Sequence, residues 1–555
     1  MTKKGKDNMK PRILITLFMV ISLTNVLFAQ SKSEVNKNIW LQAESYYLYN
    51  EYELANPMYL MLDELMKGNA NIKYKIGNCY LNIGDEKLKS IPFLESAVKN
   101  ASYNAKTDLI TETRAPLDAY FSLATAYRIA NKLDSAIMTY QMFQKLISQN
   151  GEMLNQQFID QQIQACNIAK EAMKHPVDVT FTPLSVMING GSVNDYPVVS
   201  FDGNTMAYTE RRGTESVIYV TRKAGAEWLE PRDITAEASC GSDCFTSCLN
   251  NDGTELYLYK NDNFDGNIYM TRFVNGKWTA ITKLNKNINT KYYESHASIS
   301  SDGKRLFFTS NREGSLGQLD IWVSEKDATG DWGPAVNLGE PINTQYNEET
   351  PFISADNKTL TFSSEGHGTM GGYDIFVSHN DGTGWKEPVN IGYPVNTTDD
   401  DIAFQPVLNG AAAYYPKYTG YKKKDINFVT FNKIPDTGEQ NAGNNSLENS
   451  SPKPVIDTTK VITNLHVKDV EENEPEPAKD SVLFYTVQVM ALHNPVDPSF
   501  FKKAKITMLY DAGDRYYRYT TGRFTTKEEA YAERDRLIKT GFYRQDIFVK
   551  KVYKE

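Results

Sequence analysis

Three cysteines stand four residues apart, at Cys240, Cys244 and Cys248. Zinc sites usually set close cysteines against a second, distant pair, and that pair is missing here. In an oxidising compartment two of the three can join as a disulfide and leave one thiol free. The six histidines (175, 296, 367, 379, 466, 493) form no His-Glu-x-x-His helix face. No Gly-x-Ser-x-Gly elbow marks a nucleophile, and no Walker-type loop is present to cradle a phosphate. Gly366 to Gly372 (GHGTMGG) is glycine-rich but falls between two strand-like runs, which makes it a loop. Asp399, Asp400 and Asp401 read as solvated carboxylates at a repeat boundary. The acidic run Asp262 to Gly266 lacks the distal Glu of a calcium loop. The chain is therefore expected to be non-catalytic, with no cofactor and no metal.

These residues sit on a repeat. Asp-Gly turns at Asp202-Gly203, Asp252-Gly253 and Asp302-Gly303, followed by Asp356-Asn357 and Asn409-Gly410, are separated by 50, 50, 54 and 53 residues. Trp228, Trp278, Trp332 and Trp385 keep the same step, at 50, 54 and 53. Two markers with one period define a repeat architecture. In the clearest unit, Glu294 to Glu325, aromatic and branched runs flank the turn, and Gly303 supplies the positive φ of a tight hairpin. Short strands at this period predict the four-stranded blades of a β-propeller over 177–432, with five blades and six as the alternative. Val177 to Ile188 precedes the first turn and is expected to pair with the last blade, closing the ring and hiding an edge.

Before the propeller the periodicity is helical. Ala43, Tyr46, Ala55 and Tyr59 mark one helix pair. Gly77, Tyr80, Ser90, Leu94 and Ala97 mark a second, and Ala124, Tyr127, Ala136, Tyr140 and Phe143 a third. Ala43 and Gly77 are 34 residues apart, so 30–176 is expected to be a stack of helical repeats. An insertion near Asn100 to Glu112 parts the second and third units, and Gln156 to Met173 reads as a polar-faced capping helix. The small residues let helices approach, and Tyr46, Tyr80 and Tyr127 are expected to fill the holes between them.

The ends differ in character. Lys3, Lys4, Lys6, Lys10 and Arg12 precede the apolar run Ile13 to Phe28, and Ala29 offers a cleavage position, so 1–29 is expected to be an export signal. Met9 is an alternative start. The overall charge of -9 argues against a dedicated nucleic-acid binder. Residues 433–480 hold ten acidic and five basic residues among Asn, Ser, Glu and Pro, the composition of a disordered linker. From Ser481 onward 14 basic and 9 acidic residues give a net of +5. There Phe484 to Met490, Tyr516 to Gly522 and Asp546 to Val552 alternate like strands. Thr526 to Thr540 is an amphipathic helix with Thr526 as its cap, and Pro498 to Lys505 reads as a shorter one. The order is that of a small α+β sandwich.

Three resemblances follow from these residues. The small/aromatic order at a 34-residue step is similar to the tetratricopeptide repeat. Ser300 to Gly303, Leu306 to Arg312 and Leu319 to Trp322, with their counterparts around Asp356 and Asp374, resemble the TolB-type, WD40-like propeller repeat. Tyr485 to Val489 and Tyr517 to Phe524, followed by Thr525 to Ala530, resemble the SPOR peptidoglycan-binding domain over 481–555. That last resemblance implies glycan contacts at Gln488, Tyr517, Arg518 and Tyr519, although Arg518 and Tyr519 cannot share a face of one strand. Met490-Ala491-Leu492 departs from the family, which shows a Gly and an aromatic there. The combination is similar to envelope components of type IX secretion and gliding of the PorE type. It implies a periplasmic, peptidoglycan-associated scaffold that meets partner proteins through its helical groove and propeller. The alternatives are a division-site protein, or a propeller that binds or processes a small ligand or sugar. The latter predicts ionisable residues converging at one mouth of the ring.

Overall fold

The computed structural model describes residues 33–149 and 156–432, apart from 214, 263–264 and 421, and in the C-terminal part 461–462, 465–469, 484–492, 507–511, 516–539 and 548–554. The expected export signal, most of the linker and the helix expected at Pro498 to Lys505 lie outside the described residues.

Seven helices come first: α1 (33–48), α2 (Tyr52–Leu65), α3 (Ala70–Leu81), α4 (Ser90–Ala97), α5 (Asp118–Ile129), α6 (Leu133–Gln149) and α7 (Gln156–Ala172). Helices touch at the small residues of the 34-residue pattern. Ala43, Ala55, Ala97, Ala124 and Ala136 are fully buried. A Cβ on Gly77 would lie 2.5 Å from Leu94 Cδ2, closer than van der Waals contact allows, so glycine is required where α3 meets α4. Tyr59 and Tyr140 are sealed inside and Tyr80 is 9% exposed, whereas Tyr46 and Tyr127 are half-buried. The insertion is tied down by the Asn69 side chain, which caps α3 at Ile72 N and donates to Glu112 O.

The strands that follow form five blades of four or five strands. Blade 1 runs β2 (Val193–Val199), β3 (Thr205–Arg212) and β4 (Glu215–Ala224), with β5 (Glu227–Trp228) and β6 (Arg232–Asp233) outside. Blade 2 is β7 (Cys244–Leu249), β8 (Glu255–Asp262), β9 (Asp265–Val274), β10 (Lys277–Trp278) and β11 (Thr282–Lys283). Blade 3 is β12 (Glu294–Ile299), β13 (Arg305–Ser310), β14 (Asp320–Glu325) and β15 (Val336–Asn337). Blade 4 is β16 (Glu348–Ile353), β17 (Thr359–Ser364), β18 (Asp374–His379) and β19 (Val389–Asn390). Blade 5 is β20 (Gln405–Val407), β21 (Ala412–Gly420) and β22 (Lys423–Phe431), and its outer strand is β1 (Val179–Pro183), antiparallel to β22.

The ring closes through apolar layers between blades. One cluster joins blades 1 and 2 (Val198, Ile218, Leu256, Trp278), another blades 2 and 3 (Tyr257, Ile268, Phe308, Trp332). A third joins blades 3 and 4 (Phe307, Ile321, Phe362), a fourth blades 4 and 5 (Ile375, Ile391, Tyr415), and a fifth joins blade 5 back to blade 1 (Tyr414, Ile426, Met206, Trp228). Each periodic tryptophan packs against the preceding blade, which is why its spacing follows the blade length. The Asp-Gly turns are built alike. Ser300 Oγ donates to Asp302 at 2.6 Å, and Gly303 sits at φ +70°.

Helices and blades form one compact unit (Met1–Ile147 with Gln157–Thr437), and the second unit comprises Gly438–Glu555 with Ser148–Gln156. In the second, β25 (Phe484–Leu492), β26 (Thr507–Asp511), β27 (Tyr516–Phe524) and β28 (Phe548–Lys554) order as β26-β27-β25-β28. Helix α8 (Lys527–Lys539) starts at Thr526, whose Oγ1 accepts from Glu529 N, and buries Ala530 and Leu537. The linker is not wholly without structure. Its one branched run forms β23 (Val461–Ile462) and β24 (Leu465–Asp469), which pair with β26 and β28 at opposite edges of the sheet.

Candidate functional site

All four innermost strands of blades 1 to 4 carry a bulge at one place: at Asp195/Val198, Thr246/Cys248, Ser295/Ala297 and Glu349/Phe352. Bulges bend a strand and re-aim its side chains. The residue at that place has positive φ in four blades: Tyr196 (47°), His296 (35°), Thr350 (47°) and Ala403 (62°). Side chains with a Cβ rarely occupy this region, and doing so costs on the order of 1–3 kcal/mol each. The outcome is convergence. The rings of Tyr196 (blade 1), Phe245 and Tyr259 (blade 2) and His296 (blade 3) lie 4.6–6.4 Å apart. Blades 1 and 3 are not neighbours in the ring, so these rings meet at its axis. Farther along, Phe201 and Phe352 from blades 1 and 4 close to 6.1 Å.

Charge gathers at the same end. Asp195 is paired with Lys424 at 2.9 Å, both buried. The carboxylate of Glu349, the residue before Thr350, accepts no hydrogen bond and has no ion pair among the described residues. Burial, with Glu365 and Asp400 nearby, raises its carboxyl to about 7. Burial also pushes Tyr196, Tyr259 and Tyr373 upward, so all stay neutral, and holds His296 down at about 4.

The helical layer covers this end. Lys87 Nζ reaches Asp399 at 2.6 Å and Asp400 at 3.8 Å, Arg128 Nη1 donates to Thr398 O at 2.7 Å, and Gln161 donates to Glu365 O. Met370, in the glycine-rich loop between β17 and β18, inserts into the core of α6 and α7. Gly371 in that loop leaves no room for a Cβ, which would stand 2.1 Å from Asp399 O. Between the layers lies a cavity of about 330 Å³, lined by Tyr47, Asn78, Phe121, Arg128, Glu365 and Asp400 among others. Of the carboxylates at 399–401 only Asp400 is exposed as a solvated run requires. Asp399 pairs with Lys87, and Asp401 is 3% exposed, accepting from Tyr415 OH. The sequence reading missed the fold around them, because the partners Lys87 and Tyr415 are distant or carry no motif.

The other expected sites move as well. Cys240, Cys244 and Cys248 are three buried free thiols, not a disulfide. Cys240 and Cys244 belong to the layer between blades 1 and 2, Cys248 to that between blades 2 and 3, because the bulge in β7 turns Cys248 to the other face. Cys244 Sγ donates to Cys240 O at 3.0 Å. In the C-terminal sheet Gln488 pairs with Thr520 across to β27, and Arg518 lies two residues before Thr520 on the same face. Gln488 and Arg518 are each 7% exposed and Tyr519 is fully buried, so none of these three presents itself to solvent. Tyr519 belongs to the interior, on the face opposite Gln488. The Tyr517 side chain lies outside the described residues.

The mouth residues were visible in principle. Tyr196, Thr246, His296, Thr350 and Ala403 each stand six residues before a turn Asp or Asn, and Asp195, Phe245, Ser295, Glu349 and Ile402 stand seven before it. A repeat position that keeps its place while changing its chemistry is the signal.

Among solved structures, the fold is similar to TolB from Acinetobacter baumannii, at 17% identity and a TM-score of 0.29, over 43% of this chain and 54% of that one. The chain therefore spans about half the length of that protein. It is also similar to a putative TolB from Agrobacterium tumefaciens (17%, TM-score 0.30, 44% and 78%) and to α-L-arabinofuranosidase from Lactobacillus brevis (14%, TM-score 0.31, 43% and 91%). No family model matches the chain, and neither does any curated protein.

Proposed function

We propose that the protein is an exported, non-catalytic scaffold of the cell envelope, with tetratricopeptide-type repeats and a TolB-type propeller as a joint platform for partner proteins and a SPOR-type C-terminal unit as its hold on peptidoglycan. The observation that carries the platform is the docking of α3 to α7 onto one mouth of the ring, which leaves a lined cavity between two surfaces suited to peptides. The C-terminal net charge of +5, the strand–helix order and the Tyr517–Phe524 signature support the anchor. Gln488 and Arg518 lie on one face of its sheet, and glycan contact requires that face to open. A role in type IX secretion or gliding fits this combination. Sedimentation of the full chain with purified peptidoglycan, with and without amidase treatment, tests the anchor. Binding that rises on amidase-treated wall supports SPOR-type recognition of peptide-free glycan, and a chain left in the supernatant with both walls contradicts it.

A second reading is favoured by one observation. Ionisable residues do converge at a mouth of the ring, as a propeller that holds a small ligand requires.

A further inference from the structure

We propose that the axial mouth of the propeller receives an organic cation, an ammonium or guanidinium group at the end of a flexible chain, with Glu349 as its counter-ion and the tyrosines Tyr196, Tyr259 and Tyr373 around it. The inference deepens the reading of the propeller as a partner platform, and rests on that reading only for where the cation comes from.

The argument begins with charge balance. At this end Asp195 is satisfied by Lys424, Asp399 and Asp400 by Lys87, and Glu365 accepts from Asn347 Nδ2 at 2.7 Å. Glu349 alone is left with no counter-charge and no donor among the described residues, and its electrostatic neighbours are the carboxylates Glu365 and Asp400. Arg211 is exposed, and its charge bears on Tyr196 and Tyr259 rather than on Glu349. A half-buried carboxylate with only like charges beside it is costly to keep ionised. His296 does not supply the missing charge. It is 7% exposed, burial keeps it neutral, and its Nε2 has no partner either.

The walls suit the same guest. The hydroxyls of Tyr196 and Tyr373 have no hydrogen-bond partner among the described residues, and tyrosine rings attract cations through their π-faces. Tyr196, His296 and Thr350 are held in strained backbone at this point, a cost that concentrates at binding sites. An organic cation is met by both features of this mouth, the Glu349 carboxylate and the aromatic faces of Tyr196 and Tyr259. Glu365 and Asp400 also line the cavity under the helical layer, which gives a side chain on a bound peptide a route to Glu349.

The test is titration calorimetry on the full chain with three probes: a tri-lysine peptide, the same peptide acetylated on every Nε, and 1,5-diaminopentane. Tri-lysine is expected to bind and its acetylated form not to. Glu349→Gln is expected to weaken binding about tenfold or more, and Glu349→Asp, which keeps the charge and controls for folding, by no more than about threefold. A peptide that outbinds the diamine assigns the cation to a partner's basic side chain, and equal binding assigns it to a free amine; both support the proposal. Absence of heat from both amines, or tri-lysine binding equal in the parent and in Glu349→Gln, overturns it. Peptidoglycan sedimentation reads the C-terminal unit and is indifferent to Glu349, so the two readings fail separately.

Discussion

Glu349 shows what one residue's surroundings do to its chemistry. The folded chain holds its proton up to about pH 7, whereas an unfolded chain releases it near 4.5. Stability from this group is therefore present in full below about pH 4.5 and is lost as pH rises through about 7. Glu349→Gln stays neutral throughout. Relative to the parent it should gain stability between about pH 5 and pH 8, by roughly 1–3 kcal/mol. Urea midpoints measured across that range check this, and a constant offset between the two proteins contradicts it. Gly77 makes the opposite case, in which shape alone decides. Gly77→Ala drives a methyl into Leu94, and a loss of roughly 1–3 kcal/mol is expected in chemical denaturation.

At the scale of elements, periodic features were legible and unrepeated ones were not. The turn at Asp302-Gly303 recurs because each blade needs one, so counting the five turns recovers five blades, and the four periodic tryptophans recur as wedges against the preceding blade. The closing strand was legible too, since Phe181 and its neighbours precede the first turn with no hairpin partner of their own; they pair with β22. Three features escaped. Cys248 looks equivalent to Cys244 until the bulge in β7 separates them by a whole blade face. Leu465 to Asp469 lies in a stretch of disorder-prone composition, and only its long-range partner β28 makes it a strand. The mouth escaped for a third reason: the offset from each turn marks its positions, but only the bulges bring Tyr196 and His296 into ring contact across non-adjacent blades. Two predictions belong here. Deleting Val179–Pro183 exposes the edge of β22, and the product should self-associate in light scattering where the parent does not. Trp332→Ala, which empties the wedge between blades 2 and 3, should lower stability by roughly 3–5 kcal/mol.

For the whole molecule, the helical layer and the propeller are one structural unit because polar groups of each complete the other. Arg128 is 4% exposed and donates to Thr398 O, and Lys87 answers Asp399. Arg128→Met removes the donor and leaves that carbonyl unanswered, a loss of roughly 1–3 kcal/mol at the junction. Five of the six tryptophans lie in the propeller, so fluorescence reports its melting while far-UV circular dichroism reports the helices. The two transitions should coincide in the parent and separate in Arg128→Met, with the helices melting first. Among the described residues no helix is long and apolar enough to cross a membrane. The most direct measurement of the central claim compares the full chain with one ending at residue 432 in sedimentation on amidase-treated peptidoglycan. The account predicts that the full chain sediments and the shortened one stays in solution. Equal behaviour of the two, whether both sediment or neither does, contradicts it.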